Sequence, residues 1–215
     1  YWDDNRLCSL GTIAASKRCL ISGSGDGGLT DVLCASIAGF QHDTFVRELG
    51  LDLDQSTHPA TQKLVELVKQ IEASVENCAL DAGGEAKAAQ LLTDGYLSDD
   101  MSECAVFIDE TLKTRPTGRV VTLNHTGVDV LTRKASALNR LLVSRLIHLG
   151  VVTPWQGKLE AGAIQHQPGS HYTVTIDGES KDFDRVIIRQ GVRSALEKLK
   201  PAWAQKCKAT LGPLA

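Results

Sequence analysis

"KRCLISGSGDGGLTDVL", residues Lys17 to Leu33, decides how the rest of the chain is read. The apolar run Arg18 to Ser22 is bounded by glycine and has the length of a buried strand rather than of a helix. Beyond the glycines, Leu29, Val32, Leu33, Ile37 and Phe40 recur at three- and four-residue steps, which predicts a helix with one buried face. Gly23, Gly25 and Gly28 therefore satisfy G-x-G-x-x-G between a strand and a helix. Each glycine has its own task in that setting. The first permits a tight turn, the second lets backbone approach a pyrophosphate, and the third lets helix pack closely on strand. The helix start adds unpaired N–H groups and a partial positive charge. Gly23, Ser24, Gly25, Asp26, Gly27 and Gly28 are thus candidate cofactor-binding residues, the alternative being a turn that holds no ligand. Asp26 reads as a cap for a free N–H in the first turn of its own helix, or as a partner for a ribose hydroxyl.

Working outward, residues of about 41–115 read as a helical insertion. Leu64, Leu67, Val68, Ile71 and Val75 mark an amphipathic helix with Pro59 in its first turn, "LDAGGEAKAAQLL" breaks and restarts a helix, and Met101, Cys104, Ile108 and Leu112 stripe a third. Arg119 to Asn124 is a second short buried strand, and Leu138 to Leu149 stripe a long helix that stops at Gly150. Three strand-like runs follow, 158–167, His171–Asp177 and Phe183–Arg189, separated by "QPGS" and "DGES", and they predict an antiparallel meander over about 158–191. Val192 to Leu199 reads as a last helical segment, broken by Pro201.

A dinucleotide site usually adds an acidic residue at the end of the second strand for the adenosine ribose. The equivalent place here is "RVVTLNH", with Asn124 and His125 and no carboxylate. Asn124 can hydrogen-bond a ribose hydroxyl, and Arg133 or Lys134 can face a 2′-phosphate, which tilts the choice toward NADP. The competing reading makes Asn124 and His125 part of a strand-to-helix turn with Thr126 and Gly127. "HDTFVRE", His42 to Glu48, borders the glycine motif in sequence and reads as a solvated face or, through Arg47, as a phosphate neighbour.

At 215 residues and 42% hydrophobic content, the chain is long enough for a sizeable core and reads as a single domain over 1–215. With 23 basic and 26 acidic residues, the net charge of -3 excludes a basic field that would draw it to nucleic acid or to an anionic membrane surface. The arginines are spread without interleaved aromatics, which again argues against nucleic acid. No apolar run approaches the roughly 20 residues that span a bilayer. The six cysteines are scattered, without a CxxC pair, and read as reduced thiols of a cytoplasmic protein. Six histidines show no HExxH and no zinc-like spacing with cysteine, and no metal site is expected. G-x-S-x-G is also missing, which removes a serine-hydrolase reading. No residue presents itself as a catalytic acid or base.

The order strand, "GSGDGG", helix, strand "VVTLNH", helix ending in "HLG", meander and "DRVIIRQG" resembles the NAD(P)-binding domain of flavoproteins with two dinucleotide-binding domains. The opening "YWDDNRL" resembles the segment leading into that domain. The resemblance covers residues of about 1–40 and 119–191. It implies an α/β fold with a Rossmann-like parallel sheet, carrying a helical insertion and an antiparallel meander, bound NAD or NADP, and an oxidoreductase that works with a flavin. The chain departs from that superfamily in lacking the ribose carboxylate and in carrying the insertion. A second glycine motif for FAD is not found, so FAD is expected only where a further domain supplies it. The insertion is a candidate surface for a flavin domain or a partner protein. Two other readings remain open: a non-catalytic nucleotide-sensing or protein-interaction module on the same fold, and an S-adenosylmethionine-dependent methyltransferase, whose first strand is also followed by a glycine-rich loop.

Overall fold

A computed structural model describes residues 17–49, 59–79, 81–160, 162–167 and 171–189. The segment "YWDDNRL" and the helix expected at Val192–Leu199 lie outside the described residues. In chain order the elements are β1 (Arg18–Ser22), α1 (Asp26–Ser36), α2 (His42–Glu48), α3 (Pro59–Glu76), α4 (Ala82–Tyr96), α5 (Asp99–Cys104), α6 (Val106–Lys113), β2 (Val120–His125), α7 (Ala137–His148), β3 (Val152–Gln156), β4 (Ile164–Gln167), β5 (His171–Ile176), β6 (Glu179–Phe183) and β7 (Arg185–Ile188).

The fold is mixed α/β. Four parallel strands form one sheet in the order β3-β2-β1-β7, and β4-β5-β6 form a separate antiparallel sheet. Cys19, Leu20 and Ile21 are all buried, as expected of a central parallel strand covered on both faces. On one face α1 and α7 pack with Ile21, Val121 and Leu123 in a continuous apolar core. The insertion joins this same core through Leu64, Ile71, Leu92, Met101 and Ile108. On the other face the meander closes over Leu20 with Trp155, Val174, Ile176 and Phe183. The Trp155 and Phe183 rings lie 6.1 Å apart, and the Lys181 ammonium stands 4.4 Å above the Trp155 ring.

The strand pattern differs from the sequence expectation in four places, one being that of the run 158–167 only Ile164–Gln167 forms a strand. The run Phe183–Arg189 is not the third meander strand. That strand is β6, and the chain turns at Asp184 into β7, which joins the parallel sheet beside β1. Asp184 fixes the redirection, because its carboxylate accepts from the Lys17 and Arg18 backbone N–H groups at 2.8 Å each. β3 carries no clean apolar pattern, because it is an edge strand in which only Val152 and Trp155 are buried, and its position lets it accept Pro154. Finally, β5 and β6 are joined by Asp177 and Gly178 alone, both at positive φ (49° and 84°), so "ES" of "DGES" belongs to the strand. The helix expected around Met101 to Leu112 is broken at Ala105 into α5 and α6, with all four stripe residues buried.

Two arginines on α7 clamp the insertion. Arg145 is fully buried and forms a bidentate pair with Asp109 of α6, Nε to Oδ1 at 2.8 Å and Nη2 to Oδ2 at 2.7 Å, while Nη1 donates to the Ser102 hydroxyl of α5 at 3.2 Å. Arg140 pairs with Glu72 of α3, whose carboxylate also accepts from the buried Tyr96 hydroxyl of α4 at 2.5 Å. Burial, with the Glu72 carboxylate beside it, pushes the Tyr96 hydroxyl pKa far up, so it stays a donor.

Among the described residues, Cys19, Cys78 and Cys104 are free thiols. No described helix is long and apolar enough to cross a membrane.

A buried pair that loses one partner leaves a charge without solvent. Asp109→Ala is expected to destabilise the protein by about 3–5 kcal/mol in urea unfolding. Glu48→Ala, which removes the half-exposed partner of Arg115, should cost less than about 1 kcal/mol. Equal effects in the two variants would show that the Arg145 clamp does not hold the insertion.

Candidate functional site

The carboxyl ends of β1, β2 and β7 meet at the glycine turn. The order of strands reverses at β1, since the chain builds outward to β2 and β3 and then returns to β7 on the other side. In open parallel sheets such a reversal leaves a crevice beyond the strand ends. Gly23 donates its N–H to the Asn124 carbonyl at 2.9 Å, and Arg189 donates its N–H to the Ser22 carbonyl at 2.8 Å.

Two of the three motif glycines are required by the fold itself. Gly23 has φ +128°, and a Cβ there would lie 2.5 Å from the Arg189 carbonyl oxygen. A Cβ on Gly28 would lie 1.8 Å from the Gly23 carbonyl oxygen, so the first turn of α1 rests directly on the end of β1. Gly25 is different. Its φ of -79° and ψ of 176° suit any residue, and among the described residues a Cβ there would meet nothing within 4 Å. Among the described residues, the N–H groups of Ser24, Gly25, Gly27 and Gly28 have no hydrogen-bond acceptor. The loop therefore offers backbone donors beside open space at the positive end of α1.

Asp26 does not cap its own helix, which begins at Gly25 without a side-chain cap. The N-cap of α7 is Ser136, and the Asp26 carboxylate backs that cap instead: its Oδ1 accepts from the Ser136 N–H at 2.9 Å and from the Asn139 side-chain amide at 2.7 Å. The partners of this carboxylate come from more than a hundred residues away, which is why local capping rules pointed elsewhere. Burial opposes its ionisation, but the Ser136 and Asn139 donors, with His42 nearby, outweigh that and hold its pKa below the ordinary value.

Asn124 is fully buried with its side chain engaged on both sides. Its Oδ1 accepts from the Ser22 hydroxyl at 2.7 Å, and its Nδ2 donates to the Trp155 and Gly157 carbonyls at 3.0 and 2.9 Å. It ties together the ends of β1, β2 and β3. A ribose hydroxyl would have to displace one of these partners. Arg133 is likewise occupied, with Nη1 donating to the Val75 and Cys78 carbonyls at 3.4 and 3.0 Å and Nη2 to the Ala79 carbonyl and Glu85 at 2.8 and 2.9 Å. Lys134 meets the glycine turn through its backbone, its carbonyl accepting from the Asp26 N–H at 3.3 Å. His125 is buried, and burial lowers its pKa while the Gly127 carbonyl and Asp129 pull the other way. "HDTFVRE" forms α2, on which Arg47 is exposed and bonds the Asp43 carbonyl at 3.3 Å.

Sequence reasoning missed the pair that braces the turn from the other side. Asp31 of α1 is buried and bidentate with Arg189, which follows β7. Its only sequence signal is an acid on the buried stripe of a short apolar helix, which needs a cationic partner from elsewhere. Thr132 and Ser136 of the β2–α7 connection and Asn139 in the first turn of α7, which meet the glycine turn, carried no signal at all. Among the described residues no three histidine, cysteine or acidic side chains gather as a metal-ligand set.

A depressed carboxyl pKa gives stability that is present above the unfolded value and lost as pH falls through the folded one. Asp26→Ala should therefore cost about 1.5 kcal/mol at pH 7, as for loss of hydrogen bonds to a charged group. The difference from wild type should narrow as the pH drops below about 3.9, the ordinary aspartate value. Urea titrations between pH 7 and pH 3 read this directly, and a pH-independent difference would mean that the charge of Asp26 has no part in the cap. Protein-family models, curated proteins and solved structures were compared with this chain, and none matches.

Proposed function

We propose that the Gly23–Gly28 turn binds the pyrophosphate of NAD(P)(H), in a Rossmann-like nucleotide-binding domain that serves a flavin-dependent oxidoreductase. The observation that carries this reading is Gly25. Conformation and packing explain glycine at positions 23 and 28, but at 25 neither does, and the open space above it is where a phosphate oxygen can approach backbone. The N–H groups of Ser24, Gly27 and Gly28 then serve as donors, with the positive end of α1 behind them. Asp26, which would repel a phosphate if it faced one, has its charge taken up by Ser136 and Asn139.

The parallel order β3-β2-β1-β7, with the turn at the reversal point, supports the same reading. The ribose side rests less on side chains than sequence suggested, since Asn124 and Arg133 both serve internal partners. A bound nicotinamide would supply the hydride chemistry, and the chain's contribution is to hold and orient it. FAD would be held only where a further domain supplies its site.

Calorimetric titration with NADH, NADPH, FAD and S-adenosylmethionine tests the proposal, together with Gly25→Ala. Wild type should bind NADH or NADPH. The variant should lose about tenfold or more in affinity, while its stability stays within about 1 kcal/mol of wild type. Gly28→Ala serves as the contrast and should unfold, because its Cβ has no room. Binding of none of the four ligands by wild type would return the motif to a structural turn, and binding of S-adenosylmethionine alone would replace the oxidoreductase reading with a methyltransferase.

A further inference from the structure

Residues Thr132 to Ser136, which lead into α7, lie as a strap between the glycine turn and the helical insertion. On the side of the turn, the Thr132 hydroxyl donates to the Ser24 carbonyl at 3.2 Å, the Lys134 carbonyl accepts from the Asp26 N–H at 3.3 Å, and the Ser136 N–H donates to the Asp26 carboxylate at 2.9 Å. On the side of the insertion, Arg133 reaches the carbonyls of Val75, Cys78 and Ala79 at the end of α3 and pairs with Glu85 of α4. Arg140 holds the strap from below, donating to the Thr132 and Ala135 carbonyls while it pairs with Glu72.

The chemistry suits arginine at both positions. Carbonyls in the turns beside helix ends need donors from elsewhere, and a planar guanidinium can satisfy several at once, as Arg133 does at Cys78 and Ala79 just beyond α3 and Arg140 at Thr132 and Ala135 ahead of α7. Both terminal nitrogens of Arg133 are engaged, and its side chain is only 19% exposed, so it is poorly placed to receive a 2′-phosphate.

We propose that Arg133 is a positioning residue for the glycine-turn site: by fastening the strap to the end of α3, it sets where Ser24 and Asp26 stand and hence how tightly the turn holds a dinucleotide. The part concerning affinity rests on the pyrophosphate reading above. The insertion is then a working wall of the site, and a change at the α3–α4 junction is transmitted to the turn through one side chain and five residues of backbone.

The test uses the full chain with Arg133→Gln, and Arg133→Lys as the charge-retaining variant should the first fail to fold. Amide hydrogen exchange should speed up at Asp26 and Leu29 of the turn and at Ala135 and Ser136 of the strap, whose N–H groups are hydrogen-bonded, while α7 and β2 keep their protection. NADH and NADPH should both weaken, by a similar factor of roughly fivefold or more. Arg133→Lys should recover part of the loss. Exchange at the turn that does not change overturns the proposal, as does unchanged affinity. A loss confined to NADPH also overturns it, because Arg133 would then be a direct 2′-phosphate ligand, and so does a loss of protection spread evenly over the chain, which marks a general structural role. Should wild type bind neither dinucleotide, the functional reading fails, and the exchange measurement alone decides whether Arg133 positions the turn.

Discussion

The approach of the Gly28 backbone to the Gly23 carbonyl is the contact on which the rest of the arrangement depends, since no side chain fits between them. It seats the first turn of α1 on the end of β1 and so fixes the direction in which the helix crosses the sheet. From that seat Leu29, Val32 and Leu33 fall into the core, Asp31 reaches Arg189 beyond β7, and Asp26 reaches the start of α7. One backbone contact thereby sets the places of both flanking ion and cap partners. The glycines at 23 and 28 belong to the architecture, and the one at 25 stands apart from it.

Charge inside the molecule is handled by pairing across elements distant in sequence. Arg140 and Arg145 sit on the buried side of α7, and each meets a carboxylate of the insertion. Such pairs contribute little net stability relative to apolar side chains of the same size, but they penalise any packing in which a partner is missing. Docking the insertion in another orientation would leave buried arginines without their carboxylates. Asn124 does for the strand ends what the arginines do for the helices, with one side-chain amide spanning three strands.

Local pattern made much of this readable. The limits of β1, the glycine turn, the apolar stripes of α3 and α7, and the helical nature of the insertion follow from periodicity and turn chemistry in short windows, whereas α1 ends at Ser36, short of the expected Ile37 and Phe40, and is buried at every residue from Gly28 to Ser36 rather than on one face. β3 was hidden because an edge strand exposes most of its residues and tolerates proline, and β6 because "ESKDF" places polar side chains on an outer edge. The division at Asp184 was invisible because the two strands belong to different sheets, yet the sequence runs on without a glycine or proline. At the site, the glycines could be found from spacing alone. The duties of Asp26, Asn124 and Arg133 could not, because each is set by partners that only the tertiary fold supplies.

The central position of β1 has a consequence for how the protein comes to be made. Its two neighbours are remote: Ser22 meets Asn124 across 102 residues, and Arg18 meets Asp184 across 166. During synthesis β1 leaves the ribosome with both edges open, while the insertion helices that follow can form from local contacts. Closure of such long loops costs only slightly more than closure of short ones, so the delay is one of time rather than of equilibrium. β1 thus stays unpaired until β2, with Asn124 lying 102 residues beyond Ser22, has been made, while the helices between them can already form from local contacts.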